Sequence, residues 1–258
     1  MIYDRKATLT IGESLYKSEE FDLDFKVEFD SEPEPEVQEI SIYNLSTNSQ
    51  NQILKGSNVI LNAGYANDTG AIVVGNISDY RLIITGVDHE MKLFVVSNLE
   101  RWSTLTITKT YRAGIRASQI IKDILGTFGV EIGQFNLVND ITYSNGRSVS
   151  GMLKNVLQEI VRECQSNLYI INNIIYIREP YQGMVTGFVL SGETGMIGSP
   201  ERIEIDGKEG YKVRMLLNHR INVNSVIEIR SKVIKGNFIV VKGKHQGNWI
   251  TDVEVLPL

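Results

Sequence analysis

The sequence predicts a mainly β chain of α+β class, ordered as β, then α+β, then β. Three observations carry this. The stretch "FDLDFKVEF" (Phe21 to Phe29) alternates apolar and polar residues without a break, which is the period-two signature of a half-buried strand. Helical periodicity is confined to residues 105–180. From Tyr181 onward short apolar runs return, separated by Gly, Asn and Asp. Many short strands at such spacing point to a barrel or a sandwich.

In the first region, residues 1–104, Phe21, Leu23, Phe25, Val27 and Phe29 share one strand face. Asp22, Asp24, Lys26 and Glu28 share the other, because successive strand side chains point to opposite sides. "SEPEPE" (Ser31 to Glu36) interrupts the run, since two prolines cannot sit inside a central strand. "VQEISIYNL" resumes it. In "LSTNSQNQILKG", Ser46 or Thr47 is placed to cap a short helix and Gly56 to end it. "SNVILNAGY", "GAIVVGNISDYRLIITGVD" and "MKLFVVSNLE" supply further strands.

Residues 105–180 change period. "RASQIIKDILGTFG" sets Ile120, Ile121, Ile124, Leu125 and Phe128 on one helical face, with Ser118 as the expected cap and Gly129 as the stop. "SVSGMLKNVLQEIVRECQSN" repeats the pattern with Met152, Val156, Leu157, Ile160 and Cys164. "LYIINNIIYIREP" reads as a hairpin turning at Asn172 and Asn173. In residues 181–258, strands centre on Val189, Ile203, Met215, Ile227, Val240 and Val253.

Bulk properties narrow the function classes. A hydrophobic content of 42% and a charged content of 22% describe a globular chain. No apolar run approaches the roughly 18–20 residues of a membrane span, and "MIYDRKATLT" lacks a signal-peptide pattern. Folding in a cytoplasm, with no membrane anchor, is therefore expected. Cys164 is the only cysteine, which excludes an internal disulfide and a cysteine-built zinc cluster. The net charge of −5 is unevenly spread. Residues 1–104 hold 8 Lys and Arg against 17 Asp and Glu, residues 105–180 hold 8 against 6, and residues 181–258 hold 10 against 8. Most of the acidic excess lies between Asp4 and Glu39, a surface that repels nucleic acid.

No catalytic or cofactor motif emerges. His89, His219 and His245 are far apart and form no H-E-x-x-H pattern. In "VDHEMK", Asp88, His89 and Glu90 would point to alternate sides of a strand, so a turn between two strands is expected and a shared metal site is not. There is no G-x-S-x-G elbow, P-loop or G-x-G-x-x-G. "SGETGMIGSP" lacks the Lys-Ser or Lys-Thr of a phosphate loop, and Gly192, Gly195 and Gly198 are expected to let a connection cross the sheet. Glu34 and Glu36 stand in a proline-stiffened, exposed run, unlike the desolvated carboxylates of glycosidases. Cys164 falls on an apolar helix side as a core residue. Trp102 and Trp249 read as single core anchors, and no basic stripe with interleaved aromatics appears. Catalytic, metal and cofactor sites are thus expected to be none.

Four stretches, taken in order and spacing, carry a resemblance. They are "FDLDFKVEFDSEPEPEVQEISIYNLSTNSQNQILKGSNVILNAGY", "AIVVGNI", "GRSVSGMLKNVLQEIVRECQSNLYIINNIIYI" and "VIKGNFIVVKGKHQGNWITDVEVLPL". The chain resembles, from about Leu9 to Leu256, the phage tail baseplate hub proteins. This is the family of the T-even central hub, the late-control D proteins and the N-terminal part of VgrG spikes. The last stretch is similar to the family's closing hairpin, with a His-x-Gly corner followed by a Trp-x-Thr strand. On that pattern His245 and Gly247 would form the corner, with Trp249 packing inward. The loop between "HQG" and "NW" is shorter than family corners often are.

The resemblance implies two small β-barrels, at 1–104 and 181–258, flanking an inserted α+β domain at 105–180. It implies a homotrimer whose six barrels present a pseudo-six-fold face, joining a hexameric tail tube to a central spike or tip. Partners would be the tube protein, the spike or tip protein and other baseplate proteins, with DNA only as passing cargo. The chain would be part of a virion tail assembled in a host cytoplasm. The sequence reaches Leu258 with no lysozyme, peptidase or needle segment, so the resemblance implies no wall-cutting activity here. Asp22, Asp24 and Glu28 would either face the lumen of the ring, where they would keep DNA from sticking, or form a solvated outer face. A tail-associated cell-wall hydrolase and a receptor- or saccharide-binding tip module are the alternatives from other classes.

Overall fold

The computed structural model describes residues 4–30, 37–96, 104–129, 131–171, 174–180 and 182–258. Ser31 to Glu36, Trp102 and the expected Asn172–Asn173 turn lie outside these residues. The chain divides into two compact units, one drawing on both ends of the sequence and one on the middle, with boundaries near residues 98 and 182.

The first unit opens with β1 (Arg5–Ile11), β2 (Ser14–Lys17), β3 (Leu23–Asp30), β4 (Gln38–Tyr43), helix α1 (Thr47–Asn51), β5 (Asn58–Tyr65), β6 (Asp68–Thr85) and β7 (Asp88–Val96). The second unit then supplies β8 (Thr106–Tyr111), β9 (Ile115–Arg116), α2 (Ala117–Phe128), β10 (Ile132–Phe135), β11 (Thr142–Tyr143), β12 (Arg147–Met152), α3 (Leu153–Glu163), β13 (Asn167–Ile171) and β14 (Ile174–Arg178). The chain returns to the first unit with β15 (Met184–Leu190), β16 (Met196–Ile205), β17 (Lys208–Leu216), β18 (Ser225–Arg230), β19 (Lys235–Gln246) and β20 (Ile250–Pro257).

All strands of the first unit belong to one 13-stranded sheet, ordered β16-β17-β20-β19-β3-β4-β7-β6-β5-β1-β2, with β18 and β15 branching from β19. Seven strands come from before the second unit and six from after it. They are joined where β19 pairs antiparallel with β3, Lys244 opposite Glu28 and His245 opposite Val27. The path ends at β16 and β2 and closes into no barrel among the described residues. The alternation in β3 is borne out: Phe25, Val27 and Phe29 are buried, while Asp22, Asp24 and Lys26 are exposed. Phe25 and Val27 join Leu9, Ile40, Ile42, Leu61 and Leu93 in one core cluster. Each such side chain contributes about 1.5–3 kcal/mol by leaving water.

In the second unit α2 and α3 pack on a three-stranded sheet, β10-β14-β13, in which β10 runs parallel to β14. Its core holds Ile120, Ile121, Ile124 and Leu125 from α2, with Leu153, Val156, Leu157, Ile160 and Val161 from α3. Gly129 ends α2 in the left-handed conformation, φ 64°, as a C-terminal glycine does. Three local expectations change. Ser118 is not the cap; α2 starts one residue before it, and Asp140 accepts from the Ser118 N–H and hydroxyl at 2.9 and 2.8 Å. Met152 is exposed at the N-cap of α3, and Leu153 takes the buried place. Helix α1, capped by Ser46, stops at Asn51, and Gly56 serves the next turn instead.

Candidate functional site

The closing hairpin shows how local geometry fixes named side chains. His245 pairs with Thr251 and Gln246 with Ile250 across the β19–β20 ladder. His245 is thus a strand residue, and the turn itself is Gly247, Asn248 and Trp249. A three-residue hairpin loop closes with its last residue in the left-handed region, usually a glycine. Here that residue is Trp249, at φ 67°, which costs about 1–2 kcal/mol for an L-residue with a side chain. Packing offsets the cost. The indole meets Phe25 edge-on at 6.3 Å and Tyr65 at 5.8 Å, with the Arg5 guanidinium 5.8 Å from the ring. The Trp249 carbonyl accepts from the Leu217 N–H at 2.9 Å and from the Tyr65 hydroxyl at 3.3 Å.

Gly247 brings the corner against β3. Its N–H donates to the Phe25 carbonyl at 2.8 Å. A Cβ there would fall 2.0 Å from Asp24 Oδ1 and 2.9 Å from the Phe25 nitrogen. Only a glycine permits this approach, so two groups read separately from the sequence, Asp24 and the corner, are neighbours.

His245 is 1% exposed. Its Nδ1 lies 2.8 Å from Thr251 Oγ1, and its ring is 5.0 Å from Phe29. Burial pushes its pKa down to about 4, opposed by a backbone hydrogen bond with Ile221 and assisted by nearby His219. A neutral imidazole bonded on the protein side and sealed from solvent is built for packing. His219 sits beside Asp68, 3.7 Å away, and burial lowers its pKa as well.

The three acidic residues of the β3 face do not share one environment. Glu28 is half-buried, forms an ion pair with Lys26 at 2.9 Å, and stands opposite Lys244. The same face continues with Lys92 on Glu39 at 2.6 Å, where the Lys92 hydrogen bond holds the Glu39 carboxyl below its ordinary range. It continues also with Arg214 on the buried Asp252 at 2.7 Å. Charge on this part of the face therefore alternates in sign. Asp22 and Asp24 lie at its other end, exposed, and with Glu90 they surround Tyr43, whose hydroxyl pKa is raised by burial and then by these three charges. Glu90 also accepts from the Ser41 hydroxyl at 2.6 Å. Sequence reasoning did not bring Glu90 to this patch, because it arrives from β7 across β4.

Elsewhere, Asp88, His89 and Glu90 open β7, and the turn is the preceding Gly86–Val87. Cys164 is buried at the end of α3, and burial raises its thiol pKa. Among the described residues no group of three or more His, Cys, Asp or Glu side chains is gathered to hold a metal. No helix among them is long and apolar enough to cross a membrane.

A family profile described as "Baseplate hub gp41" matches residues 6–246. No curated protein matches the chain. Among solved structures, the chain is similar to the 43 kDa tail protein of prophage MuSo2 from Shewanella oneidensis. The identity is 8%, the TM-score 0.73, and the match covers 98% of this chain and 97% of that one. It is similar to the tail protein from Neisseria meningitidis MC58 at 7% identity and a TM-score of 0.71, covering 98% and 96%. An Escherichia coli protein described as a component of the type VI secretion system, with structural similarity to T4 tail proteins gp27 and gp5, matches at 10% identity and a TM-score of 0.65, covering 97% and 76%. At these identities the likeness is one of fold.

Proposed function

We propose, because the chain belongs to the baseplate hub gp41 family, that it forms the trimeric hub ring of a phage or phage-tail-like particle. In this role it joins a hexameric tail tube to the central spike or tip. The observation that carries the reading is the family match itself, which runs from residue 6 to 246 and spans both β regions. The first unit supports it physically: seven strands before the second unit and six after it make two β halves in one chain. Three chains would then offer six such halves as a pseudo-six-fold face. Closed rings of this kind rest on large interfaces of edge pairing and apolar burial. The chain acts structurally, as part of the virion tail, after assembly in the host cytoplasm; hydrolysis of peptidoglycan by the purified chain would overturn this.

The test is the native mass by light scattering across a concentration range, alone and with the cognate tube protein. A mass near three times the 29.0 kDa chain, and rings with six-fold appearance on imaging, are expected. A chain that stays monomeric even with the tube protein refutes the ring. The same reading turns the Asp22 and Asp24 end of the β3 face toward the bore. Asp22→Lys with Asp24→Lys is then expected to leave ring assembly intact and to slow genome delivery; delivery at the normal rate removes the lumen assignment.

A further inference from the structure

We infer that a groove on the first unit binds the ring of a neutral saccharide. The groove measures about 640 Å³, within the range of about 300–1,000 Å³ that small-molecule sites occupy. It lies among the turn from β5 to β6, strand β15 and the loop that follows β17. Tyr65, Phe188 and Leu216 are its half-buried apolar walls. Asn67, Asp68, Asn218, His219 and Arg220 are its polar groups. The two aromatic rings come from before and after the second unit, so no window of sequence shows them together.

The walls and polar groups are fixed by the protein itself. The Arg220 guanidinium donates to both Asp68 oxygens, at 2.6 and 2.7 Å, and the Arg220 N–H donates to Asn218 Oδ1 at 3.0 Å. The His219 ring lies so close over Gly70 that a Cβ there would fall 2.2 Å from His219 Cδ2. Tyr65 donates its hydroxyl to the Trp249 carbonyl at 3.3 Å. Groups held in this way lose little freedom on binding. Their chemistry then selects the ligand. Arg220 and Asp68 cancel each other, and burial holds the His219 pKa below its ordinary value, so the imidazole is neutral near pH 7. A phosphate or carboxylate therefore meets no unpaired cation in the lining, and an ammonium meets no unpaired anion. A wholly apolar ligand would fail in another way. The Asn67 side chain and Asn218 Nδ2 have no hydrogen-bond partner among the described residues, and covering them unpaired is costly. A neutral pyranose satisfies both conditions. Its C–H face can lie on an aromatic wall, and its hydroxyls donate and accept as carboxamides and a neutral imidazole do.

Saturation-transfer NMR on the purified full chain tests this. The probes are the methyl glycosides of glucose, galactose, rhamnose and N-acetylglucosamine, with the methyl glycoside of glucuronic acid as the anionic counterpart of glucose. The expected result is transfer to the ring C–H protons of at least one neutral glycoside and little to the glucuronide. Phe188→Ala should weaken binding of that glycoside about tenfold, through loss of an aromatic wall. Asn67→Ala should weaken it about threefold, through loss of one hydrogen bond. Asn67 is exposed, so this second variant keeps the unaltered melting temperature and carries the test should Phe188→Ala fail to fold. No transfer to any of the neutral glycosides overturns the assignment. So does transfer that both variants leave unchanged, or equal transfer to the glucuronide. The inference is independent of the ring reading, which native mass decides.

Discussion

Acidification from pH 7.5 to pH 5 is expected to lower the unfolding free energy of the chain by about 2 kcal/mol through His245 alone. The imidazole titrates at its ordinary 6.5 when the chain is unfolded and at about 4 when it is buried. Above pH 6.5 both states hold it neutral, and its full contribution to stability is present. As pH falls below that value the unfolded chain gains a proton that the folded chain does not, so unfolding is favoured progressively until the folded group also titrates, near pH 4. His219, lowered by burial and by Arg220 against the pull of Asp68, acts in the same direction. Carboxylates held low by partners, such as Glu39 and Asp68, weaken the fold only at lower pH. Urea unfolding at the two pH values tests this. His245→Gln should be less stable at pH 7.5, because Thr251 loses its partner, yet lose much less on acidification. A pH dependence unchanged in that variant would assign the effect to other groups.

Gly247→Ala is expected to destabilise the fold by about 1–3 kcal/mol, the range for forcing an extra methyl into a filled site. The new carbon would meet Asp24 Oδ1 at 2.0 Å, and the backbone of Asp24 and Phe25 at 3.0 and 2.9 Å. The carboxylate can swing away; the backbone can move only by parting β19 from β3, where Gly247 donates to Phe25. That ladder joins the N-terminal and C-terminal strands of the sheet. A thermodynamic cycle with Asp24→Ala separates the two contacts. The double variant should be less destabilised than the sum of the single ones, since part of the clash is with the carboxylate. Full additivity would mean that the strain lies wholly in the backbone. A neutral Gly247→Ala would contradict the close approach.

Much of this protein was legible from short windows of sequence. The alternation of Phe25, Val27 and Phe29 placed the buried face of β3, and the spacing of Ile120, Ile121, Ile124 and Leu125 placed that of α2. Gly129 marked a helix end. The order and spacing of four stretches also pointed to the hub family that the chain joins. The strand face, the helix face and the helix end depend on residues within a turn or two of one another, so composition and period determine them.

The tertiary structure alone decided the rest. Lys242 lies opposite Asp30, and Arg220 clasps Asp68 across 152 positions. Glu28 is paired with Lys26, while Asp22 and Asp24 stand exposed beside Tyr43. Asp140 does the capping expected of Ser118, and Trp249 occupies a position where glycine is usual. Two alternating strands present nearly the same pattern to every candidate edge, so which edges meet is set by core packing and loop closure over the whole chain. Charges and turns inherit their environments from that choice. The apolar run "RLIIT" reads as an ordinary strand for the same reason. Only the assembled sheet shows it running past Asn76, the last residue of β6 that β5 pairs, so that Leu82, Ile83 and Ile84 stay exposed.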